Sequence, residues 1–147
     1  MDNEKKRKGW TSIEQSRSLM EAGLDPKTSD MFYMQVAEGL GDPFEWKVFC
    51  GRHPAVESNL FSFRNGNVIP CWSMGALIDL MGDWHWNSKG YDMFLTVCGS
   101  YVKYSHFDTE HETNAIDEMA AGGSLADNVV RMVLRLLEKG YIERKGK

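Results

Sequence analysis

An α+β fold, in which a small antiparallel sheet built from two hairpins is packed on one face by about three helices, is what this chain predicts. Three observations carry that expectation. Two turn signals, Asn65-Gly66 and Gly99-Ser100, each divide segments rich in aromatic and branched residues. Three other segments follow the helical period and carry start and stop residues. No internal repeat and no Pro/Gly/Ser-rich linker interrupts the chain, so one domain is expected over 11–147, behind a disordered basic tail over 1–10.

The first helix is expected at about 12–22. Thr11 and Glu14 stand in capping-box spacing, good helix formers follow, and Gly23 with Pro26 beyond it marks the end. Met31 to Val36 is compatible with strand or helix, whereas Glu45 to Cys50 carries the aromatic and branched residues of a strand. Asn65-Gly66 suits the positive-φ positions of a type I′ turn, so Leu60–Arg64 and Asn67–Ile69 are expected to pair. Met74, Leu77, Ile78 and Met81 then fall at i, i+3, i+4 and i+7 behind Ser73, which predicts a short capped helix ending at Gly82.

A second hairpin follows around Gly99-Ser100. With those two as the loop, Cys98 faces Tyr101, Val97 faces Val102, Leu95 faces Tyr104 and Met93 faces His106. Met93, Leu95, Val97, Val102, Tyr104 and His106 therefore share one face, which is apolar and belongs on the core. The last helix begins near Ser124 and Asp127 and stops at Gly140; its valines and leucines leave only a narrow polar strip through Arg131, Arg135 and Glu138.

Composition narrows the function classes. With 147 residues, 42% hydrophobic and 26% charged, the chain can bury about 68–70% of its unfolded surface around one core. The formal net charge of -4 gives no overall attraction for phosphate backbones, so nucleic acid is not the expected partner; the basic run Lys5 to Lys8 sits beside Asp2 and Glu4. Cys50, Cys71 and Cys98 are odd in number and never in C-x-x-C spacing, which points to reduced thiols. The basic N-terminus is followed by no apolar core of a signal peptide, and no run approaches the roughly 18 apolar residues of a membrane span. A cytoplasmic protein with no membrane association is the expectation.

Several constellations invite chemistry. "SHFDTEHE" over 105–112 gathers His106, Asp108, Glu110 and His111, a mixed nitrogen and oxygen set that a metal ion uses, but no metal motif of known spacing such as H-E-x-x-H is present. Packed His106 beside a solvated acidic loop accounts for the same residues. Cys50, His53, Cys71 and Cys98 form a second, scattered set whose convergence nothing in the spacing requires. "CWSMG" resembles the G-x-S-x-G nucleophile elbow, yet its first glycine is Cys71 and no parallel sheet is predicted to present Ser73, which fits better as a helix cap. "DWHWNSKG" puts Trp84, His85 and Trp86 together as the candidate partner or ligand surface, against the alternative that the indoles fill the core edge.

The order "EQSRSLMEAGLDPKTSDM", "IPCWSMGALIDLM", a two-stranded segment and "RLLEKGYI" resembles a group of small uncharacterised α+β proteins of anaerobic gut bacteria, many carried in prophages and mobile elements. The similarity runs from Thr11 to Ile142 and departs at "DEMAAGGSLADN". It implies a small α+β domain without an assigned activity, so it supplies no catalytic residues and suggests an accessory role. The expected function is a non-enzymatic cytoplasmic interaction protein, of phage or mobile-element origin, that binds a protein partner or itself through exposed aromatic surface and takes no cofactor. The alternative is a small metal-binding module or metal-dependent enzyme using His106, Asp108, Glu110 and His111.

Overall fold

The structure, a computed structural model, describes residues 9–53, 67–82 and 93–144. Among these, three α-helices accompany two three-stranded antiparallel sheets, which makes the α+β class a finding and replaces the single expected sheet by two.

Helix α1 spans Ile13–Glu21. Its cap lies one residue later than the Thr11/Glu14 spacing suggests: Ser12 accepts from the Gln15 amide, and the Gln15 side chain accepts from the Ser12 amide. Thr11 is unavailable because it is buried, its hydroxyl accepting from the Trp72 amide at 3.1 Å and lying 2.8 Å from the Ser16 hydroxyl. Gly23 ends the helix at φ 100°, where a residue with a Cβ is strained.

A 3₁₀ turn at Pro26–Thr28 leads into β1, Met31–Val36, which is the centre of the first sheet, between β2, Glu45–Cys50, and β3, Val68–Cys71. Pairing on both sides resolves the strand-or-helix ambiguity of Met31–Val36 in favour of strand. Among the described residues β3 is an edge strand of this sheet, a position where the missing amide donor of Pro70 is tolerated. Met31, Tyr33, Ile69 and Cys71 form a small core with Trp10, Ile13, Trp46 and Val48 against it. Of the hairpin expected around Asn65-Gly66, Leu60–Arg64 lies outside the described residues. Of the tail expected over 1–10, residues 1–8 also lie outside them, while Trp10 bridges Ser73.

Helix α2, Met74–Gly82, begins as expected: the Ser73 hydroxyl accepts from the Ala76 amide at 3.1 Å, and Met74, Leu77 and Met81 are buried. The second sheet has the order β4, β5, β6, formed by Phe94–Val97, Tyr101–Asp108 and Thr113–Ala121. Leu95 pairs with Tyr104 and Val97 with Val102, the register expected of the Gly99-Ser100 hairpin. β6 departs from expectation, since Asp108 to Glu112 and the residues after them read as a loop leading to a helix. Its Asn, Asp, Glu and Ala content is poor in strand formers, and a bulge at Asp117 breaks the period-two pattern, as the register steps from Tyr104–Glu118 to Ser105–Ile116.

Helix α3, Leu125–Glu138, is capped by Ser124 and Asp127 in a reciprocal box and closes at Gly140, φ 82°. Val129, Val130, Met132, Val133, Leu136 and Leu137 are buried, joining α1, α2 and the inner face of β4–β5 in the main core. The Gln15 side chain donates to Asp127 at 2.8 Å and so ties the starts of α1 and α3 together. The polar strip on α3 anchors β6. Arg131 and Arg135 donate to the carbonyls of Ala121 and Met119 on that strand, and Lys139 pairs with Glu118. These cations occupy carbonyls that an edge strand otherwise offers to another chain.

Candidate functional site

The 105–112 stretch forms the end of β5 and the turn into β6, and the bulge decides how its histidines are used. Because Asp117 is the extra residue of β6, its carboxylate comes within 2.6 Å of His106 Nδ1, both side chains being largely buried. His106 is thus a packed residue of the sheet in hydrogen-bond contact with an acid. The turn is organised separately: Asp108 accepts from the amides of Glu110 at 3.0 Å and His111 at 3.3 Å, and its other oxygen lies 2.8 Å from His111 Nδ1. The His111 side chain holds the Asp108 carboxyl below its ordinary range, and the two backbone donors add to that. Of the four metal candidates, Asp108, Glu110 and His111 place one ligand atom each within 4.8 Å of one another, and His106 is not in that group.

The second candidate set does not assemble. Cys50 is exposed, Cys71 is buried, and His53 stands edge-on to Phe32 with ring centroids 5.4 Å apart. Burial pushes the Cys71 thiol up to about 11, and the nearby Tyr33 phenol, also raised chiefly by burial, to about 12. Neither is poised as a nucleophile at neutral pH. Cys98, beside the turn of the β4–β5 hairpin, is lowered, first by the Ser100 backbone amide.

Ser73 opens a cleft of about 520 Å³ with Thr28, Asp30, Asp79 and Leu80 in its walls. Its hydroxyl donates to Asp30 and accepts from the Ala76 amide, while the Ser73 amide donates to the same carboxylate at 2.8 Å. Those bonds fix the corner between β3 and α2. They hold Ser73 as a cap and leave it no histidine partner among the described residues, unlike an activated serine.

Trp84, His85 and Trp86, the surface expected from sequence, lie outside the described residues. An aromatic surface is nevertheless present elsewhere, on the outer face of β4–β5–β6. The register that turns Leu95, Val97, Val102 and Tyr104 inward turns Phe94, Lys103, Ser105 and Phe107 outward, and Ile116 and Met119 join them from β6. Phe94 is 58% exposed, Phe107 47%, Ile116 55% and Met119 43%. Ser105, short and buried, lies in the row between Phe94 and Ile116. Lys103 is the charged residue of this face; its ammonium stands 5.3 Å from the centre of the Tyr101 ring, and no carboxylate among the described residues pairs with it. The signal for Phe94 and Phe107 is present in the hairpin register, which sends alternate residues outward. Ile116 and Met119 carry none, because β6 itself is hidden in the sequence.

Among the described residues, no helix is long and apolar enough to cross a membrane. No family model, curated protein or solved structure matches the chain.

Proposed function

We propose that this chain is a non-enzymatic interaction protein whose working surface is the outer face of β4–β5–β6. The observation that carries this reading is the cluster of Phe94, Phe107, Ile116 and Met119 on one sheet face, all half-exposed while the opposite face is packed. Water contact with grouped large apolar side chains is unfavourable, and covering them with a protein surface relieves it. Among the described residues, the Cys71 thiol and Tyr33 phenol are buried and neutral, Ser73 is a helix cap, and the packed His106 belongs to the sheet. Free thiols in all three cysteines support a reducing, cytoplasmic setting, and an accessory role of the kind implied by the resemblance to mobile-element proteins suits a binding domain.

Light scattering coupled to size exclusion, together with affinity capture from cell extract, tests this reading. A larger particle or a stoichiometric companion is expected, lost in Ile116→Lys with the melting temperature retained. A companionless monomer, or an association indifferent to that substitution, contradicts it.

One observation favours a second reading as a metal-binding module: the convergence of Asp108, Glu110 and His111. Elemental analysis of untagged protein, with melting measured with and without a chelator, tests it. Stoichiometric metal and a chelator-induced fall in melting temperature support the module; absence of both contradicts it.

A further inference from the structure

We infer that the occupant of the outer sheet face is a second copy of this chain, stacked face to face across a two-fold axis that runs across the strands. The inference rests on the interaction reading above and names the partner for the same surface.

The edges of this sheet are closed to a partner more than its face is. β4 has four residues, and β6 is bulged at Asp117 and has the Met119 and Ala121 carbonyls taken by Arg135 and Arg131. Short, bulged or covered edges resist strand addition. The face has no such cover among the described residues. It also has two unlike ends: Lys103 without a described carboxylate partner at one, and at the other the 109–112 turn, which carries the exposed Glu110 and Glu112.

A two-fold axis can lie in such an interface in two ways. Along the strands, it stacks Lys103 on its own copy, with like charges meeting in an apolar setting. Across the strands, it reverses one β5 over the other and brings opposite ends together. Centred at the level of His106, it sets Lys103 over Thr109 and Glu110 of the partner copy, and Ser105 over the partner copy's Phe107. Both matches are reciprocal, as an isologous contact requires. In this register the Phe107 ring of each copy lies over the row of Phe94, Ser105 and Ile116 of the other, so exposed apolar side chains meet where Lys103 meets the acidic turn. Aligned sheets pack about 10 Å apart, within reach of the Lys103 side chain.

Three strands and the eight residues of β5 give a footprint of roughly 14 Å by 26 Å per copy, small for a stable dimer. A reversible dimer with a dissociation constant of about micromolar order is expected, weakened by salt.

Sedimentation velocity of the full chain from about 5 µM to about 500 µM tests this, with folding checked by circular dichroism. The expected result is a monomer–dimer equilibrium, weakened at least about tenfold by Phe107→Asp and by Lys103→Glu, and recovered when Lys103→Glu is combined with Glu110→Lys. Ile116→Lys serves in place of Phe107→Asp if the latter does not fold. A monomer throughout the range, a dimer indifferent to these variants, or a charge-swapped pair weaker than Lys103→Glu alone overturns the inference. If the wild type is monomeric but binds a different protein in a manner abolished by Ile116→Lys, the two-copy inference falls and the interaction reading stands. If no association of any kind depends on this face, both fall.

Discussion

Cys71 shows how burial sets chemistry one residue at a time. The fold favours its neutral thiol, raising it from about 9 to about 11. Its contribution to stability is therefore complete below about pH 9 and is lost as the pH rises towards 11, on the order of 2 kcal/mol, with Tyr33 extending the loss towards 12. Chemical denaturation between pH 8 and 11 (about one-unit steps) checks the sign: stability should fall across that range and fall less steeply in Cys71→Ala. Thiol labelling gives an independent reading. At neutral pH, Cys98 should react long before Cys71, whose labelling should wait for unfolding. Equal rates for the two contradict the placement of Cys71. In each case the residue is visible in the sequence, but only the packing of β1 and β3 supplies its environment.

Elements with strong local signals are legible in the sequence. α2 has an apolar period of i, i+3, i+4 and i+7 behind a capping serine, and α3 has a reciprocal Ser124/Asp127 box with a glycine stop. Local hydrogen bonds decide such ends before tertiary structure does. Ser124→Ala should accordingly cost about 1 kcal/mol, read as a fall of roughly 2–4 °C in melting temperature; an unchanged melting temperature argues against that cap. The Gly99-Ser100 hairpin is legible for the same reason, since one turn fixes the whole β4–β5 register. β6 is not. Its pairing is set from outside, by β5 on one side and by the arginines of α3 on the other, and its bulge at Asp117 scrambles the alternation that marks a strand. The first capping box falls one residue away from its expected place because Thr11 is drawn into a long-range contact with Trp72, which local spacing cannot register.

At the scale of the whole molecule, two sheets replace one, and the division explains both what the chain buries and what it leaves open. Helix α3 packs on the inner face of β5 and β6 and α2 reaches Tyr104 there, while the outer face carries Phe94, Phe107, Ile116 and Met119 without a covering layer among the described residues. The expected aromatic surface at Trp84–Trp86 lies outside the described residues; half of the surface found instead is implicit in the hairpin register, and the other half depends on β6. The 105–112 cluster divides likewise. Asp108, Glu110 and His111 are close in sequence and meet in space, while His106 is claimed by a residue eleven positions away, Asp117.

Zero-length carbodiimide cross-linking of an equal mixture of unlabelled and ¹⁵N-labelled chain tests the face-to-face dimer. Lys103 and Glu110 lie seven residues apart along β5 and its turn, about 20 Å within one copy and too far for a zero-length link. Peptides joining an unlabelled Lys103 to a labelled Glu110, and the reverse, are the predicted product, lost in Phe107→Asp. Cross-links confined to single copies at a concentration of about 500 µM, or links between copies that bypass Lys103, contradict a face-to-face dimer.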